Sequence, residues 1–152
     1  MMTLSEPTNP IELNRDAGAG PRRSTLSIVL WIVQVLLALL FIFSGAMKLV
    51  LPLEKLAGPP GSVVLPGAFV RFIGVAELLG GIGLILPALL RIKAGLTPLA
   101  AAGLVIIMIG AVAVTLMGPM GAGMAVIPAV TGLLAGFVAY GRWRLAPIRS
   151  RS

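Results

Sequence analysis

The sequence predicts an all-α integral membrane protein: a four-helix transmembrane bundle with both termini cytoplasmic. Three observations predict it. Of 152 residues, 58% are hydrophobic and 11% charged, with a mean hydropathy of +1.05, whereas a soluble domain carries roughly a quarter charged residues. The apolar residues fall into four long runs divided by Gly and Pro clusters. Most basic residues flank those runs. A small soluble globule needs polar side chains to cover its surface, so a soluble fold is excluded.

Residues 1–24 are rich in Pro, Asn, Gly, Ser and Arg without an apolar period, and read as a flexible cytoplasmic tail. No cleavable signal is expected, because the first apolar run is too long for an h-region and no small-residue cleavage site follows it. The four-span membrane domain occupies residues 25–144, with spans at about 26–50, 68–90, 96–117 and 124–140. A helix needs about 20 apolar residues to cross a core of roughly 30 Å, and the fourth run is marginally short. The runs do not alternate, and unpaired backbone cannot be left in lipid, so strands are excluded. Breakers fall between the spans: Pro52, Pro59, Pro60 and Pro66 after the first, Gly118, Pro119, Gly121 and Gly123 after the third. Residues 145–152 form a basic C-terminal tail.

Charge sets the expected orientation. With the N-terminus inside, Arg15, Arg22, Arg23, Arg91, Lys93, Arg142, Arg144, Arg149 and Arg151 gather on the cytoplasmic side, against Lys48, Lys55 and Arg71 outside. That is the positive-inside pattern. Trp31, Tyr140 and Trp143 are candidate interfacial anchors. The net charge of +7 therefore points to membrane lipids as partners, and nucleic acid is not expected, since the cations are not interleaved with polar and aromatic residues on one face.

Chemistry is sparse. The sequence has no cysteine and no histidine, which removes thiolate, disulfide and iron–sulfur chemistry, the usual haem ligand and the neutral-pH proton shuttle. No nucleotide motif and no acidic cluster with metal-ligand spacing is present. No catalytic residue and no metal site is expected.

Glu77 stands out. It falls roughly 13 Å along the second span, at about 1.5 Å per residue, where a lone carboxylate costs ~2.5–3.5 kcal/mol on insertion scales. It should be protonated, paired or beside a wet cavity. Gly74, Glu77 and Gly81 share one helical face, and glycines there allow a second helix to approach closely. On the first span Gln34, Ala38, Phe41, Gly45 and Lys48 form a stripe at the same period. Gln34, Lys48, Arg71 and Glu77 are thus the candidate polar cluster, with Lys48 reaching down toward Glu77 and Arg71 completing the group. The structural alternative is that both cations snorkel to lipid phosphates and Glu77 is only a hydrogen-bonded acid. Gly103 and Gly110 share a face on the third span, and Gly132 and Gly136 form a GxxxG on the fourth. That spacing serves packing inside the bundle or a dimer face.

The stretches FIFSGAMKLVLPLEKLA (Phe41 to Ala57), LPGAFVRFIGVAELLGGIGLILPALLRI (Leu65 to Ile92) and LTPLAAAGLVIIMIGA (Leu96 to Ala111), with the ending FVAYGRWR, resemble bacterial DoxX-like membrane proteins. The resemblance implies a small four-span protein of the bacterial inner (plasma) membrane. The family is named for a subunit of a thiosulfate:quinone oxidoreductase, and its distant relatives include an assembly chaperone of nicotinic receptors. The recurrent polar positions of the family correspond here to Gly45, Lys48, Arg71, Gly74, Glu77 and Pro87. Many relatives carry a His and a charged pair near the end of the third span, where this sequence has VTLMGPMGAGM with Thr115. Two functions remain open: a non-catalytic accessory or scaffold subunit of a larger membrane complex, or a protein binding a quinone or lipid around Lys48, Arg71 and Glu77. A homo-oligomer is a further expected partnership.

Overall fold

The structure is a computed structural model and describes residues 22–93 and 95–148. The N-terminal tail up to residue 21 and residues 149–152 of the basic C-terminal tail lie outside the described residues. Helix α1 spans Arg22–Val50, the one-turn helix α2 Leu53–Leu56, α3 Gly67–Leu90, α4 Leu96–Met117 and α5 Gly121–Tyr140. From α5 the chain runs straight on into a π-helical turn, Gly141–Leu145. No strand occurs among the described residues. Four of the helices, α1, α3, α4 and α5, are long and apolar enough to cross a membrane.

The boundaries follow from local chemistry. Pro52 disfavours helical geometry at Leu51; α1 stops at Val50, and Pro52 serves as the N-cap of α2. Pro66, fixed at φ −55°, starts α3. At the other end of α3 Arg91 takes the left-handed conformation, φ 54°, and donates its N–H to the Pro87 carbonyl. This is the C-terminal geometry usually left to glycine. Gly118 is extended and ends α4. Gly121 has φ +57°, a conformation that strains residues with a Cβ, and lets the chain reverse directly into α5.

Four boundaries differ from those read from hydropathy. The first helix begins at Arg22, four residues before the apolar run, and α3 begins at Gly67. The fourth span begins at Gly121 and stays helical to Leu145, 25 residues in all, so it is not short. Hydropathy locates the apolar stretch of a span, but helical hydrogen bonding carries on through small and basic residues at the membrane surface.

The spans run antiparallel in sequence order. Gly45 of α1 lies against Gly74 of α3, and a Cβ on Gly45 would stand 2.6 Å from the Gly74 carbonyl oxygen. One on Gly81 would stand 2.9 Å from the Ala38 carbonyl oxygen. The two backbones touch because neither helix has a side chain between them. Gly83 faces Ala100 of α4, Gly132 of α5 faces Met108, and Gly136 lies at ordinary contact distance from Val105. Leu37, Ala38 and Phe41 of α1, Leu84 of α3, Ala101, Leu104 and Met108 of α4, and Ala135 and Val138 of α5 make one core. Gly103 and Gly110 point away from it, exposed, with nothing near the space a Cβ would fill. Many large apolar residues also face outward, among them Leu99, Ile106 and Leu133. Such a surface is at home in hydrocarbon.

Candidate functional site

Lys48 and Ser44 sit one turn apart on α1 and face Glu77 of α3 across the glycine contact. The Gly45–Gly74 approach is what brings them within reach. Lys48 Nζ donates to Glu77 Oε2 at 2.7 Å and to Ser44 Oγ at 2.7 Å, while Ser44 Oγ donates to the same Glu77 oxygen at 3.0 Å. The three groups close a triangle. Glu77 is 2% exposed, whereas the Lys48 side chain is 28% exposed. The carboxylate is therefore interior and the ammonium lies at the edge.

Arg71 joins by a different route from the one its charge suggests. Its Nη1 donates to the Lys48 carbonyl oxygen, not to Glu77. The last four carbonyls of a helix have no donor within it, and they form the negative end of its dipole. Arg71, six residues before Glu77 on α3, meets the C-terminal turn of α1 and binds one of these orphan acceptors. The guanidinium thus fastens two helix ends together.

Gln34 does not belong with these residues. It lies 14 residues before Lys48 on α1, about 21 Å along the axis at 1.5 Å per residue. Its Nε2 donates to the Leu84 carbonyl oxygen of α3, and its Oε1 accepts from Arg142 Nε at 2.9 Å. A shared stripe fixes the face of a helix and says nothing of depth, so the polar group expected as one cluster is two clusters at different depths of the bundle. The Leu84 carbonyl precedes Pro87, which has no N–H for the Gly83 carbonyl of the same turn. Neighbouring helices commonly supply donors at such a proline.

The second cluster contains residues whose role the sequence hid. Arg142, expected among the surface cations, is 4% exposed and lies 5.2 Å from the Trp31 ring centroid. It is therefore an interior cation stacked on the aromatic face of Trp31, which attracts it through the ring quadrupole. Its Nη2 is buried and has no hydrogen-bond partner, as does Thr97 Oγ1 on α4. Ser44 was equally hidden in the first cluster, although its place four residues before Lys48 puts both on one face. Tyr140 and Trp143 are exposed.

Among the described residues no group of three or more His, Cys, Asp or Glu side chains could hold a metal ion. A cavity of about 430 Å³ lies at the end of the bundle bearing α2, bounded by Leu53, Leu56, Val64 and Val70 and by the loop between them.

Four apolar antiparallel spans, tied by an interhelical ion pair and a second polar cluster, define a multi-pass helical membrane protein. The model of the DoxX-like family matches residues 32–140, from the middle of α1 to the end of α5, and the chain belongs to that family. Neither the curated proteins nor the solved structures provide a match.

Proposed function

We propose that this protein is a non-catalytic accessory or scaffold subunit of the bacterial plasma membrane, packed against a larger membrane complex. The observation that carries this reading is the closure of the Lys48–Ser44–Glu77 triangle. Glu77 is 2% exposed, and its Oε2 is held by two donors from the neighbouring helix, so its charge goes into fastening α1 to α3. The polar residues of the first two spans fasten helices to each other. Outward, α4 presents Leu99, Gly103, Ile106 and Gly110 along one face, a surface shallow enough for a partner helix. Purification from native membranes in mild detergent tests this: a stoichiometric membrane-protein partner is expected, and a chain recovered alone at every detergent strength counts against it.

The second reading, a protein binding a quinone or lipid at this end of the bundle, has one observation in its favour. The cavity of about 430 Å³ beside Val70 has the size of a small-molecule site, one residue from Arg71. Extraction of a quinone or lipid at one mole per mole of chain, lost in Arg71→Ala, would favour it over the scaffold reading.

The start of α1 and the end of the π-helical turn lie at one end of the bundle, together with Arg91 and Lys93. By the positive-inside bias this end is cytoplasmic. Ser5→Cys and Ser150→Cys should resist membrane-impermeant thiol reagents in intact cells. Labelling at either would reverse the orientation.

A further inference from the structure

The Lys48–Glu77 site balances its charges inside the protein. Among the described residues, the other end of the bundle does not. Glu54 and Glu77 are the carboxylates among the described residues; Glu54 lies on α2, and Glu77, midway along α3, is paired with Lys48. Arg91, Lys93, Arg142 and Arg144 stand at the opposite end without an acidic partner among the described residues.

Three observations meet there. The first is the Arg142 guanidinium, 4% exposed, which spends Nε on Gln34 and leaves Nη2 without a partner. A buried donor that lacks an acceptor is costly, and a buried cation without an anion more so. The second is Thr97, fully buried, whose hydroxyl is also without a partner. The third is the N-terminus of α4, one residue before Thr97, which receives no side-chain cap. In this turn the Leu96 N–H donates to the Lys93 carbonyl and Pro98 has no N–H, so what it offers an anion is the positive end of the dipole and at most the Thr97 N–H.

The antiparallel register sets these features at one level. Gly132 lies against Met108 and Gly136 against Val105. Continued by one turn and a half, that register carries Arg142 to the first turn of α4, where Thr97 stands. Gly83 against Ala100 brings α3 to the same level, consistent with the bond from Gln34 to Leu84. Trp143 and Tyr140 beside it are exposed, and both are residue types enriched at the membrane–water interface.

We propose that Arg142, Thr97 and the N-terminal turn of α4 form a binding site for a phosphate group, that of an anionic membrane lipid. Both side-chain groups donate hydrogen bonds, and a phosphate offers several acceptor oxygens to a guanidinium and a hydroxyl at once. The surrounding excess of Arg and Lys selects a headgroup with net negative charge over a zwitterionic one. The site is independent of the scaffold reading and lies at the far end of the bundle from the Lys48–Glu77 pair.

The test is lipid retention by the full chain, measured by native mass spectrometry in detergent titrated with phosphatidylglycerol or phosphatidylcholine, with inorganic phosphate as a third arm. The protein should hold one phosphatidylglycerol more tightly than phosphatidylcholine. Thr97→Val, which keeps the shape, should weaken that binding about tenfold while leaving lipid-free thermal stability unchanged or raised, because it removes a hydroxyl that lacks a partner. Arg142→Lys should weaken it as well, since a point charge replaces the planar fork. Equal retention in the unaltered protein and in folded Thr97→Val and Arg142→Lys would overturn the site. Inorganic phosphate that displaces the lipid and protects the protein equally well would overturn its assignment to a lipid.

Discussion

Removing one member of the Lys48–Glu77 pair should have unequal consequences. Glu77 is 2% exposed and its Oε2 receives both Lys48 and Ser44, whereas the Lys48 side chain is 28% exposed and close to the end of α1. In Lys48→Met the carboxylate keeps the serine hydroxyl and loses its counter-charge in the interior. Breaking a buried pair in this way costs about 3–5 kcal/mol. In Glu77→Leu the stranded ammonium is already at the edge and can swing to the headgroups on its four-carbon stem, which limits the cost to about 1 kcal/mol. With both changes two charges are replaced by apolar groups of similar size, an exchange that is often neutral. The double variant should lie within about 1 kcal/mol of the unaltered protein, far from the sum of the single effects. Reversible unfolding in mixed micelles, followed by circular dichroism, reads all four proteins. A Glu77→Leu loss equal to that of Lys48→Met, or an additive double variant, would refute the assignment of an interior carboxylate held by an edge cation.

Further outcomes follow from the helix contacts. Gly45→Val should destabilise by about 1–3 kcal/mol, because its Cβ would fall 2.6 Å from the Gly74 carbonyl oxygen, whereas Gly103→Ala should not, with open space at its Cβ; thermal melts in detergent compare the two. Arg71→Ala should cost about 1.5–3 kcal/mol through loss of a charged donor to the Lys48 carbonyl, and hydrogen exchange should rise at the C-terminal turn of α1. Gln34→Leu should destabilise by about 2–4 kcal/mol, since Arg142 Nε and the Leu84 carbonyl both lose their partner; restoration by Arg142→Met in the double variant would show up in the same melts.

The architecture was readable because a bilayer asks one simple thing of a sequence. Runs of about 20 apolar residues punctuated by proline and glycine leave a single solution, and the third span matches its expected limits, Leu96–Met117. The inward face of α3 was equally readable, since Gly74, Glu77 and Gly81 recur at the helical period and are all buried. Depth was not. Gln34 and Lys48 share a face of α1 but stand at different depths, and only the pairing of α1 with α3 and with the end of α5 reveals which partner each one meets. Arg142 and Arg144 look alike in the sequence, yet one is interior and the other exposed. That difference arises because the π-helical turn continues α5 and holds Gly141 against Leu30. Arg71 shows the same limit, because its acceptor is a backbone carbonyl that side-chain patterning does not display.

The scaffold reading rests on what covers the outward face of α4. A photoreactive residue in place of Ile106, which is 70% exposed between Gly103 and Gly110, would report its neighbour in native membranes. The expected product on illumination is a single adduct of defined mass with another membrane protein, lost when Gly110→Leu fills the face. Adducts with lipid alone, or only with second copies of this chain, would contradict a subunit built to pack against a larger complex.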